Sequence, residues 1–263
     1  MRQAALARGN GYAWAPKHGT QTVMNVVLVY LRLYGSCAAS AAAALVKNLW
    51  TLLLPMALFV AFFFLGSLLG GRGNFAGGIA LGLARAAAFS VYTYFLAGVV
   101  GRDRVALGDL KKSVGAYFWT WINLFFVLWI VDLLLGFALA VHPRRDTILL
   151  VVSFMELVVL NVTPEVIYLK RSWGGLETIQ RSFQFLQENW IEWFIPNGLI
   201  IAGLYLFVSK GGLALLGPLG ALVAVVASGA LFHAVMVFRG FLFEALDGST
   251  HRQRMFRYRR TGS

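Results

Sequence analysis

The stretch LWTLLLPMALFVAFFFLGSLLG, residues 49–70, decides the fold. It carries no charged side chain, and a run of about 20 apolar residues is what one helix needs to cross the hydrocarbon of a bilayer. Five more runs of this kind follow, at residues 75–100, 117–141, 147–169, 194–217 and 218–246. Composition agrees, with 59% hydrophobic residues, 13% charged residues and a mean hydropathy of +0.71. A soluble chain of 263 residues has too little interior to bury so much apolar surface. The expected fold is therefore all-α, a polytopic membrane bundle of six transmembrane helices. Residues 1–37 read as a polar N-terminal segment with an interfacial helix. Residues 38–247 read as the membrane domain, and residues 248–263 as a basic tail.

Basic residues orient the bundle. Of 23 Lys and Arg residues, Arg72, Arg144, Arg145 and Lys210 fall in the loops of one side, and Arg85 falls inside a span. The other eighteen lie in the termini and the loops of the opposite side. Lys and Arg collect on the cytoplasmic side, so both termini are expected inside. The net charge of +12 then reads as a topology signal and an attraction to anionic lipid, not as a nucleic-acid site. Tyr34-Gly35-Ser36-Cys37 is a poor lipoprotein cleavage box, because Arg32 interrupts the apolar run before it. Cys37 is the only cysteine, which excludes an intrachain disulfide.

A second pattern lies between the spans. Leu176, Ile179, Phe183, Leu186 and Trp190 fall on one face of a helix, with Glu177, Gln180, Arg181, Gln184, Gln187 and Glu188 opposite. The same spacing occurs 69 residues earlier at Leu107, Leu110, Val114, Tyr117 and Trp121. Such helices are expected in the plane of the interface, each leading into a span. A weaker third copy precedes the first span. Lys47-Asn48-Leu49-Trp50 with Pro55 echoes Glu188-Asn189-Trp190-Ile191 with Pro196, at an offset of 141. The inferred unit, used three times, is an interfacial helix followed by a transmembrane hairpin.

These residues also resemble a known family. Ala42 to Trp50 followed by Leu53-Leu54-Pro55 is similar to the start of the first span in a group of bacterial six-helix inner-membrane proteins. That group is related to the membrane domain of glycerophosphoryl diester phosphodiesterases. Thr163-Pro164-Glu165, Gly175-Leu176-Glu177, Arg181-Ser182-Phe183 and Glu188-Asn189-Trp190 resemble its second signature. The resemblance covers roughly residues 38–247 and implies a fold and a bacterial inner-membrane location. The phosphodiesterase catalytic domain has no counterpart here.

Charges inside the membrane are costly and need partners. Arg85, Asp132 and Glu156 each lie nine or ten residues below the outer end of their runs, about 14 Å at 1.5 Å per residue. They are expected to meet as an intramembrane polar cluster, either an ion pair that fixes packing or a proton or cation site. Glu165, Arg239 and Glu244 group near the inner boundary as anchors and salt bridges. His233 reads as a hydrogen-bonded core histidine, since one histidine supplies neither bis-histidine haem ligation nor a zinc site. The stripes Gly78-xxx-Gly82-xxx-Ala86 and Ala224-xxx-Ser228 read as helix-packing motifs. Most tryptophans read as belt residues, with Trp129 deeper.

No HExxH, GxSxG or phosphate-binding Gly loop occurs, so neither an enzyme nor a cofactor is expected. The first functional expectation is a scaffold or accessory subunit of a larger membrane assembly, with protein partners and lipids. The alternative is transport or handling of a lipid or small amphiphile. Arg252, Arg254, Arg257, Arg259 and Arg260, interleaved with Met255, Phe256 and Tyr258, are expected to meet anionic headgroups or a partner.

Overall fold

A computed structural model describes residues 17–70, 75–101, 103–210, 217–249 and 253. Among the described residues every regular element is helical. In chain order these are α1 (Lys17–Lys47), α2 (Leu54–Gly70), α3 (Phe75–Val100), α4 (Leu110–Ala116) and α5 (Phe118–Ala138). Then come α6 (Arg145–Leu160), α7 (Thr163–Lys170), α8 (Gly175–Lys210) and α9 (Gly217–Asp247).

Six stretches are long and apolar enough to cross a membrane: Val27–Lys47, Leu49–Leu69, Ala76–Val100, Phe118–Ala138, Arg145–Lys170 and Val223–Asp247. The chain is thus a multi-pass integral membrane protein. Five of the six coincide with runs read from the sequence. Val27–Lys47 is a correction, because that region was expected to be a polar segment and a short interfacial helix. The Ala-rich stretch is apolar enough to continue the Val/Leu run past Arg32, so one helix covers both. The run expected at residues 194–217 is helical as far as Lys210, as the second half of α8. Residues 211–216 lie outside the described residues.

Three helices end on a residue of similar, non-helical backbone, and a further helix follows each; after Asn48 and Tyr117 that helix is one of the six membrane-crossing stretches. Asn48 has φ −131° and ψ 41°, Tyr117 φ −126° and ψ 9°, and Asn189 φ −132° and ψ 19°. At both asparagines the side-chain amide turns back to a carbonyl one helical turn earlier. Asn48 Nδ2 donates to the Ala44 carbonyl at 3.2 Å, and Asn189 Nδ2 to the Phe185 carbonyl at 3.1 Å. A short polar side chain that can replace a backbone partner is what a helix break needs. Asn48 also grips the loop after α3, donating to the Asp103 carbonyl and accepting the Val105 N–H, both at 3.0 Å.

The centre is a triangle of α3, α7 and α9, each packed on the other two. Its core includes Phe95, Leu96 and Val99 from α3, Val166 and Tyr168 from α7, and Val237, Leu242 and Phe243 from α9. Gly240 sits at the closest approach. A Cβ there would lie 2.5 Å from both the Tyr168 hydroxyl and Val100 Cγ2. Around the triangle, α2 packs on α3 and α9, α5 on α3 and α8, and α8 on α6, α7 and α9. α1 closes the ring by packing along α9.

The first half of α8 sits on the bundle through Thr178, Ser182, Phe185, Leu186 and Asn189. Leu176, Phe183 and Trp190 point away from the protein. Small polar residues therefore seat this helix, and most of its apolar stripe is left for whatever surrounds it. Trp121 and Trp193 were read as belt residues, yet both are buried. Trp129, read as lying deeper than the belt, sits mid-way along α5 with its side chain on the outer surface of the bundle. Of the Gly78-xxx-Gly82-xxx-Ala86 stripe, a Cβ at Gly78 or Gly82 would meet nothing within 4 Å among the described residues, whereas Ala86 is fully buried in a cluster with Trp121, Leu124 and Ile167.

Candidate functional site

The strongest polar feature is built at the break between α6 and α7. Pro164 opens the first turn of α7, and a proline has no N–H to continue the ladder from α6. The next residue, Glu165, is fully buried. Arg239 of α9 meets it with two bonds, Nε to Oε1 at 2.9 Å and an Nη to Oε2 at 3.1 Å. Arg239 also donates to the Asn161 carbonyl at the break. Its guanidinium lies 5.0 Å from the ring centroid of Trp193, whose indole N–H donates to Asn161 Oδ1 at 2.9 Å. Two-point pairing of this kind is the strong form of an arginine–carboxylate contact. Glu165 and Arg239 were expected to pair, and they do. Glu244 does not join them. It lines a separate cavity of about 260 Å³ between α1 and α9, with Ser36, Cys37 and Ser40.

His233 is buried between two hydroxyls, 3.0 Å from Thr51 Oγ1 and 3.4 Å from Tyr92 Oη. It is the hydrogen-bonded core histidine the sequence indicated. Among the described residues, no group of three or more His, Cys, Asp or Glu side chains could hold a metal ion.

The expected cluster of Arg85, Asp132 and Glu156 is not formed. Arg85 makes no ion pair with either acid and instead lies against aromatic faces, 4.5 Å from the Phe125 centroid and 5.8 Å from that of Phe89. The depth argument failed at the helix ends. α5 stops at Ala138, so Asp132 lies six residues from its end and not nine. In the antiparallel neighbour, Arg85 is level with Phe125, two turns further in. Asp132 is exposed. Glu156 is close enough to feel its charge, and the Oε1 of Glu156 is buried without a hydrogen-bond partner.

Sequence reasoning missed a cavity of about 420 Å³. Its walls come from α2 (Pro55, Leu58, Phe59, Phe62), α3 (Arg85, Ala88, Phe89, Tyr92, Thr93) and α9 (Phe232, Met236, Arg239), with Asn161 and Pro164 at the α6–α7 break. The volume falls within the roughly 300–1,000 Å³ of small-molecule sites, which are likewise mostly apolar with a few placed polar groups. The cavity is not sealed: Phe59, Phe62 and Phe232 on its walls are 64%, 38% and 49% exposed. All three belong to membrane-crossing stretches, so the opening faces the side of the bundle. No combination of residues in one helix announces such a space, because three helices make it by standing apart.

Arg252, Arg254, Arg257, Arg259 and Arg260 lie outside the described residues. Comparison with protein-family models, with curated proteins and with solved structures finds no match.

Proposed function

We propose that this protein handles a lipid or small amphiphile within the membrane, without catalysing a reaction on it. The observation that carries the reading is the side-opening cavity of about 420 Å³, apolar along its length and touched by two arginines. A hydrocarbon chain can leave the bilayer for such a space without meeting water, and the arginines can hold its polar end. The test is to fill the cavity. Ala88 lines it from α3, and Ala88→Trp should leave a monodisperse protein that retains at least one lipid fewer per chain after mild detergent extraction, counted by mass spectrometry. Equal lipid retention in a folded Ala88→Trp protein would refute the reading.

A scaffold or accessory-subunit role is the second reading, and a different observation favours it. Asp132 projects from the exposed face of α5 beside the unpartnered Glu156 oxygen. A carboxylate facing hydrocarbon calls for a basic partner, and a neighbouring subunit's helix could provide one. If so, Asp132→Asn should move the protein from a larger species to its own mass on native gels of solubilised membranes. Unchanged migration counts against a partner on this face.

Two finer features belong to the same proposal. The placement in a bacterial inner membrane, both termini inside, rests on the basic-residue bias and the family resemblance. The threefold repeat rests on the similar breaks at Asn48, Tyr117 and Asn189, spaced 69 and 72 residues apart. The packing supports it as well. α4 lies on α3 and the first half of α8 on α7, so each of these two lead-in helices rests on the return span of the unit before it, while α1 lies on α9, the return span of the last unit, and closes the ring.

A further inference from the structure

We infer that the cavity's occupant is an anionic phospholipid and that Arg85 pairs with its phosphate. The inference rests on the cavity being a lipid site and adds the class of lipid and the residue that selects it. The two arginines of the wall differ in one respect. Arg239 is already matched by the Glu165 carboxylate, the Asn161 carbonyl and the Trp193 ring. Among the described residues, Arg85 is met only by the rings of Phe125 and Phe89. An aromatic face attracts a cation but carries no net charge to balance it. The cavity wall therefore holds one uncompensated positive charge, in a segment where an uncompensated charge is costly. A phosphate that enters beside the apolar walls supplies the missing charge, and its acyl chain takes the space between Phe59, Phe62 and Phe232.

Depth makes the contact unusual. Arg85 lies ten residues from Phe75, the start of α3, about 15 Å along the helix and roughly half the thickness of the hydrocarbon layer. A headgroup held there has been drawn away from the surface of its own leaflet. That is a position a phospholipid must pass through to change leaflets.

The test offers the detergent-solubilised protein equal amounts of phosphatidylglycerol and phosphatidylcholine with identical acyl chains. Bound lipid is then counted by native mass spectrometry. The wild-type chain should retain phosphatidylglycerol about tenfold over phosphatidylcholine. Arg85→Gln should bring the ratio close to one while total bound lipid stays the same, and Arg85→Lys should keep the preference. Ala88→Trp should lose the preference together with the lipid. A wild-type ratio near one, or a preference that survives Arg85→Gln, overturns the charge inference and leaves the lipid site standing. A preference that survives Ala88→Trp places the anionic lipid elsewhere on the protein and overturns it too. If the wild-type chain retains neither lipid, the cavity reading itself fails. Should Arg85→Gln not fold, the wild-type ratio and Arg85→Lys still decide.

Discussion

Glu165→Leu should destabilise the protein by about 3–5 kcal/mol, the range seen when one member of a buried ion pair is removed. The reason is what remains. Glu165 is fully buried and Arg239 nearly so, with 11% of its side chain accessible. An arginine left without its carboxylate in that setting keeps its charge. It retains the Asn161 carbonyl and the Trp193 ring, which orient it but do not neutralise it. Removing both charges, in Glu165→Leu with Arg239→Leu, should cost clearly less than Glu165→Leu alone. Two leucines strand nothing, whereas one strands a cation. The measurement is a double-mutant cycle on unfolding in detergent, and the coupling should be large because the groups touch. Additive losses would mean that each side chain acts through its own packing and that the pair is incidental.

Gly175→Ala should cost about 2–3 kcal/mol, although alanine normally favours a helix over glycine by about 1 kcal/mol. Gly175 begins α8, where a Cβ would lie 2.5 Å from the Asn123 carbonyl oxygen, 2.8 Å from its carbon and 3.0 Å from Leu124 Cα. These are backbone atoms of α5, so no rotamer change relieves the clash. The two helices must move apart. At Gly240 the obstruction is two side chains, Tyr168 and Val100, which have more room to adjust. Gly175→Ala should accordingly lower the thermal midpoint more than Gly240→Ala. Gly198→Ala, with nothing within 4 Å, serves as the control. If Gly175→Ala matches that control, α5 and α8 are not locked at this point.

The apolar runs made most of the fold legible, because a bilayer demands length and apolarity in one continuous stretch. The same rule hid Val27–Lys47, where small residues and Arg32 dilute the signal without ending the helix. The pairing of Glu165 with Arg239 was readable because both lie near the same boundary, where depth is set by short distances from the helix ends. The Arg85 cluster was misread by the same method. A shift of three residues at the end of α5 was enough to place Asp132 away from Arg85. The partners of His233 come from α3 and from the turn after Asn48, and no local pattern joins those segments. Trp193 looked like a belt residue because its neighbours do. It is buried because the Asn161 side chain accepts its N–H and Arg239 covers its face. The cavity depends on how far α2 stands from α3 and α9, which is a property of the assembled helices.

The contact of α1 with α9 also sets a schedule. Cys37 and Phe241 share one wall although roughly 200 residues separate them, and at 5–20 residues per second a ribosome needs roughly 10–40 s to make that stretch. Throughout that interval the buried stripe of α1, from Val29 through Leu33, Cys37 and Ala41 to Ala44, has no α9 to lie against. The bundle therefore closes late, after the last helix has emerged. Until then α1 is the segment most open to a chaperone, to a protease, or to the α9 of another chain.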